Sequence, residues 1–219
     1  IASYKNYFNK NNKENLAPLT LSYLRCWRKQ VAFSEYFKNH KSLKKRVLEI
    51  KYEDLVKNPK IITKRMCKFL GVKFSSEMID TSNFMGLGKN TKKWKPNSNF
   101  NSPKKGIYKN SLNKWKKFLE PDLINFIEFV VGPELRYLGY LRKYKKFNYE
   151  KINKFHLNDF KTNKGWRTTT NPPKTDIEFE RNRYELIKQK KVNKELIKTY
   201  FLFDKIYFKL KKTAEYEKI

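Results

Sequence analysis

Residues 45–55, Lys-Arg-Val-Leu-Glu-Ile-Lys-Tyr-Glu-Asp-Leu, decide how the rest of the chain is interpreted. The closely spaced valine, leucine and isoleucine predict a strand over residues 46–52 that is buried on both faces. Tyr52 lies where this strand would end, and an acidic turn follows it. Ligands of open α/β sheets bind at the carboxyl ends of strands, so the region of Tyr52 is the first candidate for a binding site.

The segments on either side of this strand have the hydrophobic spacing of helices. We predict one helix from about Leu16 to Asn39 and a second from Pro59 to Leu70. Asn58 would cap the second helix and Gly71 would end it. A helix, a strand and a helix in this order are typical of a parallel-sheet protein.

The second half of the chain reads as a loop followed by helices. Residues 72–105 predict a long loop with one helical turn near Glu77–Asp80, and loops of this length are often binding loops. One helix is predicted over 110–119, with Trp115 on its apolar face. A second is predicted from Pro121, with a kink or break at Gly132-Pro133. Residues 176–212 predict one or two amphipathic helices.

The composition limits the possible classes of protein. The chain has 219 residues, of which 39% are hydrophobic, enough for one domain with a core and an appended piece. Cys26 and Cys67 lack the spacing of a disulfide or metal site, and we expect buried thiols. No apolar run is long enough to span a bilayer, and no signal peptide is recognisable.

The net charge of +30 calls for an explanation. A basic nucleic-acid-binding protein is the alternative reading, and it predicts steeply salt-dependent binding to RNA or DNA. The lysines are spread over the whole chain instead of gathering in one arm, and this disfavours that alternative.

Residues 104–108, Lys-Lys-Gly-Ile-Tyr, form the best candidate for an anion site. The glycine allows the backbone to approach a ligand, and a helix predicted to begin near Asn110 would supply free N–H groups. The lysines add charges suited to phosphate or sulfate.

Several motifs in a fixed order carry a resemblance to a known family. These are Val47-Leu48-Glu49-Ile50-Lys51-Tyr52-Glu53-Asp54-Leu55, then Phe69-Leu70-Gly71, then Gly106-Ile107-Tyr108 with Ser111 and Trp115, then Leu138-Gly139-Tyr140, with Trp27 upstream. The chain resembles the C-terminal half of sulfotransferases that use 3′-phosphoadenylyl sulfate (PAPS), especially the bacterial and tyrosylprotein-sulfotransferase-like branch. Where the tyrosylprotein enzymes have a second arginine, this chain has Tyr7.

The resemblance implies an α/β fold, namely the C-terminal portion of a P-loop-NTPase-like sulfotransferase fold, helix-rich with few parallel strands. Residues 1–141 would form that portion and 142–219 a basic helical extension. It also implies that the cofactor is PAPS, released as PAP, and that the acceptor is a carbohydrate, a protein tyrosine or a small molecule. No metal is expected.

The cofactor-binding residues follow from the same resemblance, position by position. Ser3 matches a serine that binds the 3′-phosphate, and Tyr52 matches a tyrosine at the nucleotide end. The loop that closes over the phosphates, together with a lysine after it, contributes Ser98, Ser102, Lys105, Gly106, Tyr108 and Lys114.

The catalytic residues cannot be assigned from this sequence. The family's phosphosulfate loop and its catalytic base lie upstream of the matched segment. The chain starts at Ile1 rather than Met, so we expect missing upstream residues and a fragment that does not catalyse sulfation alone. A bacterial cytoplasmic location is the expectation, with the Golgi lumen as the alternative.

Overall fold

The computed structural model describes residues 17–80, 112–113, 115–144, 147–153 and 173–215. The described residues fall into two compact units, the first containing residues 17–47 and those from 119 onward, the second containing those between 48 and 118. Their α-helices, in chain order, are α1 Ala17–Asn39, α2 Tyr52–Lys57, α3 Pro59–Leu70, α4 Trp115–Phe118, α5 Pro121–Tyr137, α6 Tyr149–Asn153, α7 Pro173–Lys188, α8 Lys194–Tyr200 and α9 Asp204–Glu215.

The first unit is a helical assembly built around α5. This helix packs against α1, α6, α7 and α9. Its residues from Leu123 to Val131 are apolar at most positions, and five of them are buried in one cluster with side chains from α1, α6 and α7. A helix that is apolar on nearly all sides is expected at the centre of such an assembly.

A second apolar cluster holds the C-terminal helices onto α1. It contains Val31 and Ala32 of α1, Leu186 and Ile187 of α7, and further buried side chains from α8 and α9. Trp27 contacts both clusters and so joins the two parts of the core. The segment 173–215 therefore shares its core with α1 instead of forming a separate body. It contains three helices where the sequence predicted one or two.

Helix α5 passes through Pro133 without a break, so the break that was one of the two predicted outcomes at Gly132-Pro133 does not occur. Proline lacks the N–H that would bond the carbonyl of Phe129. The residues from Phe126 to Glu134, apart from the half-buried Ile127, are buried and hold the helix in place. The helix ends at Tyr137, and Gly139 reverses the chain after it with a φ of 76°.

The predicted strand over 46–52 is wrong in the part of the chain that the structure describes. Residues 47–51 are irregular and half-buried, and Tyr52 begins α2 instead of ending a strand. A strand needs a neighbour for its backbone N–H and C=O groups. No second strand occurs among the described residues to supply one.

The second unit confirms the prediction for α3. This helix begins at Pro59 and ends at Leu70, and Gly71 closes it with a φ of 71°. Asn58 precedes it as predicted, but its side chain makes no capping hydrogen bond. The predicted turn near 77–80 is a 3₁₀ turn at Ser76–Ile79. Cys67 is buried as expected, whereas Cys26, in the first unit, is only half-buried.

Helix α4 is shorter than the helix predicted over 110–119. Asn113 has a φ of 60°, which a right-handed helix does not permit, so the described helix begins only at Trp115. Trp115 was expected in the core but is 36% exposed. No described helix is both long and apolar enough to cross a bilayer.

Candidate functional site

Of the eight predicted cofactor-binding residues, Tyr52 alone lies among those that the structure describes. The other seven lie outside the described residues, and they are Ser3, Ser98, Ser102, Lys105, Gly106, Tyr108 and Lys114. The structure thus gives the surroundings of Tyr52 and leaves the convergence of the eight residues as a prediction.

Tyr52 is placed at the first position of α2 by the extended backbone before it. Lys51 has a φ of −77° and a ψ of 134°, and its carbonyl accepts hydrogen bonds from the N–H groups of Asp54 and Leu55, both at 3.1 Å. Glu53 and Asp54 occupy the first helical turn, where carboxylates interact favourably with the helix dipole. No side-chain capping hydrogen bond forms at the N-cap of α2, which is Lys51.

The side chain of Tyr52 is 56% exposed. A phenol at this position can stack against a planar ring and exchange a hydrogen bond with a ligand. Its exposure at the beginning of a helix is compatible with the predicted contact to a nucleotide.

A buried cluster of arginines and carboxylates lies in the first unit, and the sequence did not reveal it. Glu180 of α7 accepts a hydrogen bond from Arg25 Nε at 2.6 Å and from Arg28 Nη2 at 3.1 Å. Arg28 Nη1 also bonds Glu180 and donates to the carbonyl of Val130 at 3.1 Å. Glu180 is 2% exposed, so these bonds lie in a region of low dielectric.

A second buried pair lies in the same unit. Arg183 of α7 donates from Nη2 to Glu134 Oε1 of α5, and its guanidinium lies 4.5 Å from the centre of the Phe201 ring. Glu134 is 1% exposed, and its other oxygen has no hydrogen-bond partner among the described residues. These two pairs connect three helices through charge as well as through apolar contact.

Burial and charge act against each other on the pKa values of this cluster. Burial alone would raise the pKa of Glu180, but the charges of Arg28 and Arg25 outweigh it and the pKa is lowered. For Arg183, burial lowers the pKa and the charge of Glu134 does not restore it. Glu180 is therefore held as a carboxylate at neutral pH.

A cavity of about 340 Å³ opens beside this cluster, entirely within the first unit. Its cationic lining consists of Arg25, Arg28, Lys29, Arg183 and Lys198. An aromatic wall is formed by Phe179, Tyr200 and Phe201, with Phe179 and Tyr200 in contact at a ring-centre distance of 4.8 Å. The volume is within the range of small-molecule sites.

Two further carboxylates in this unit accept hydrogen bonds from other parts of the protein and have a structural role. Glu128 accepts hydrogen bonds from the backbone N–H groups of Lys143 at 2.7 Å and Tyr144 at 2.8 Å. Glu35 accepts one from the Tyr137 hydroxyl. Among the residues described, no group of three His, Cys, Asp or Glu side chains could hold a metal ion.

The sequence contained no usable signal for the buried cluster. Arg25 and Arg28 are three positions apart on α1 and look like ordinary surface residues in so basic a chain. Their partner Glu180 is more than 150 positions away, and only the packed structure brings them together.

Comparison with known families gave one match. A family model described as "Sulfotransferase domain" matches residues 1–148. The match includes all eight predicted cofactor-binding residues and ends before α7. A search of curated proteins and a search of solved structures each found no match.

Proposed function

The chain belongs to the sulfotransferase domain family, and from this premise we propose that it takes part in transferring a sulfuryl group from PAPS to an acceptor hydroxyl or amine. The family match over residues 1–148 is the observation that carries the proposal, and it confirms the family predicted from the sequence. The bacterial and tyrosylprotein-sulfotransferase-like branch stays a prediction. The nucleic-acid-binding alternative gains no support from the match.

In this proposal the chain supplies the nucleotide side of the cofactor site. Ser3 would bind the 3′-phosphate and Tyr52 would contact the nucleotide, since its side chain is exposed at the start of α2. Lys105 and Gly106 would grip the phosphates, assisted by the four remaining residues, which are Ser98, Ser102, Tyr108 and Lys114. Lysine charge and close backbone approach are suited to an anionic ligand.

PAPS, when bound, supplies the sulfuryl group together with a phosphate leaving group. The acceptor oxygen or nitrogen forms a bond to sulfur while the bond from sulfur to the phosphate oxygen breaks, and the acceptor proton passes to a base. Residues that hold the nucleotide fix the line of attack and stabilise charge on the departing phosphate. No residue of the chain matches the family's catalytic base or its phosphosulfate loop, so we expect nucleotide binding without turnover.

Retention on immobilised 3′,5′-ADP tests the proposal. We expect the protein to be retained and to be eluted by free 3′,5′-ADP, and we expect Lys105→Ala and Ser3→Ala each to weaken retention. Lys212→Ala removes one exposed lysine from α9 and controls for the general basic charge. If the three variants elute together, or if AMP competes as well as 3′,5′-ADP, the nucleotide site is not where we place it.

A further inference from the structure

The cavity beside the buried arginine cluster has lining residues that the sulfotransferase match does not include. Phe179, Arg183 and Lys198 line it and lie beyond residue 148, where the match ends. Arg28 and Lys29 on α1 line the same cavity from within the matched segment. The cavity is therefore formed jointly by the family domain and the helices that follow it, and the proposed nucleotide site includes none of its lining.

The charges around this cavity are not balanced. Among the described residues that line it, five side chains are cationic and one, Glu134, is a carboxylate. Two further carboxylates pair with the lining cations, since Glu180 bonds two of the arginines and Glu195 bonds Lys198 at 2.9 Å. An excess of two positive charges remains around a partly enclosed space, and such an arrangement attracts anions.

Two of the cations have hydrogen-bonding capacity left over. Arg183 uses only Nη2 in a hydrogen bond to a described residue, although a guanidinium has five N–H donors. Lys29 is exposed and makes no hydrogen bond or ion pair with any residue in the described part of the chain. Arg183 is buried and held by Glu134 and Phe201, so its planar donor group is fixed in direction.

The remaining lining indicates what else the ligand carries. Phe179, Tyr200 and Phe201 present aromatic rings on the same cavity, together with Leu202 and Ile206. Apolar walls with a few fixed polar groups are typical of sites for small organic molecules. An inorganic anion has no apolar part that could contact these aromatic side chains.

We propose that this cavity binds a small organic oxyanion, in which a carboxylate, phosphate or sulfate group is received by Arg183 and Lys29 and an apolar or aromatic portion lies against Phe179 and Tyr200. A guanidinium binds all three oxyanions through paired N–H groups, and the lysine adds charge at the exposed side of the cavity. This site shares no residue with the proposed nucleotide site, and its proposal does not rest on the proposed function.

The test is calorimetric titration of the protein with phenyl phosphate, phenyl sulfate and phenylacetate, with benzyl alcohol as the uncharged control. Each titration is repeated with Lys105→Ala, a variant that weakens the proposed nucleotide site. We expect at least one oxyanion to bind and benzyl alcohol not to bind. We also expect Lys105→Ala to leave that binding unchanged, and the arm that binds best identifies the anion.

Lys29→Glu is the main variant because Lys29 is exposed and its replacement leaves the core intact. Reversing its charge should weaken binding by about fivefold or more, which corresponds to roughly 1 kcal/mol for one charge interaction at short range. Lys212→Glu makes the same change on α9, outside the cavity lining, and should not alter binding. Arg183→Lys keeps the charge but loses the paired donors, and should also weaken binding.

The proposal fails if no aromatic oxyanion binds, if Lys29→Glu and Lys212→Glu behave alike, or if Lys105→Ala weakens binding of the probe as much as Lys29→Glu does. The first outcome would mean that the cavity holds only solvent. The second would mean that the probe is attracted by the general basic charge of the protein. The third would mean that the probe binds in the nucleotide site. Retention on 3′,5′-ADP is measured separately, so failure of this proposal and failure of the sulfotransferase proposal remain distinguishable.

Discussion

Glu180 on α7 and Arg28 on α1 form a buried ion pair between residues 152 positions apart. Glu180 also bonds Arg25, so one carboxylate holds two arginines of the same helix. Arg28 in turn donates to the carbonyl of Val130, which links α5 to the same cluster. These contacts tie the segment beyond the family match to the matched segment, in addition to the apolar cores.

Replacing Glu180 with Gln should destabilise the protein strongly. The substitution keeps the shape but leaves two arginines buried without their counter-charge, and breaking a buried pair in this way costs about 3–5 kcal/mol. Urea unfolding at neutral pH, followed by tryptophan fluorescence, measures the change. Glu195→Gln is the control, because its pair with Lys198 is exposed and should contribute little. Equal effects of the two substitutions would contradict the buried-pair interpretation.

The same carboxylate should make stability depend on acid pH. The folded-state pKa of Glu180 is lowered from its ordinary value of 4.5, because the two arginines outweigh the opposite effect of burial. A lowered folded pKa gives a contribution that is present above the unfolded pKa of about 4.5 and is lost as the pH falls through the folded value. The free energy of unfolding of Glu180→Gln should therefore fall less on acidification from pH 5 to pH 2. Parallel pH profiles for the two proteins would contradict this.

Glu128 should stabilise the turn that follows α5. Its two oxygens accept the N–H groups of Lys143 and Tyr144, and hydrogen bonds to a charged group contribute about 1.5–3 kcal/mol each. We expect Glu128→Ala to lower the free energy of unfolding by about 3 kcal/mol and to speed hydrogen exchange at both amides. Glu178→Ala removes an exposed carboxylate from α7 and should change neither quantity.

The sequence correctly predicted helix bounds that are set by residues close to them in the chain. The bounds of α1 and α3 followed from hydrophobic spacing and from signals within a few residues of their ends, such as Pro59 and Gly71. The strand over 46–52 failed because a strand depends on a partner elsewhere in the chain, and composition alone cannot supply that information. The helix does not break at Pro133, since packing around α5 offsets the missing hydrogen bond.

The cofactor-binding residues stay a prediction, and most of them rest on family resemblance. Tyr52 was identified by its sequence neighbours, and the structure gives it an exposed position that suits a ligand contact. The buried cluster around Glu180 and Glu134 was missed because each arginine and each glutamate is, by its local sequence, an ordinary charged helix residue. Only contacts between distant helices reveal that they are buried and paired.

Gly71 offers a test of one local signal by itself. Its φ of 71° is left-handed, and a Cβ added there would meet no atom within 4 Å, so any cost of substitution is conformational. Gly71→Ala should lower the free energy of unfolding by about 1 kcal/mol, and Gly71→Asn by less, because Asn tolerates this conformation better. Chemical denaturation of the two variants measures this order, and Lys60→Ala, at an exposed position of α3, is the control. An Ala variant as stable as the parent would show that the αL ending is not formed.

Tyr52 is the one predicted cofactor residue whose surroundings are described, and it allows the sharpest test of the nucleotide site. Its side chain is 56% exposed, so neither Tyr52→Phe nor Tyr52→Ala should change stability much. If the hydroxyl bonds the nucleotide, both variants should weaken 3′,5′-ADP binding by about fivefold, as expected for one hydrogen bond. If the ring stacks on the base, Phe should retain binding and Ala should lose it.

The matched control for Tyr52 is Tyr23→Ala on α1, since Tyr23 is 44% exposed and lies in the other unit. Calorimetric titration with 3′,5′-ADP compares the three variants with the parent. Unchanged affinity in Tyr52→Ala, or an equal loss in Tyr23→Ala, would remove Tyr52 from the site. Urea unfolding of each variant is measured beside the titration, so a selective loss of affinity at Tyr52 without a loss of stability would be attributable to the ligand contact itself.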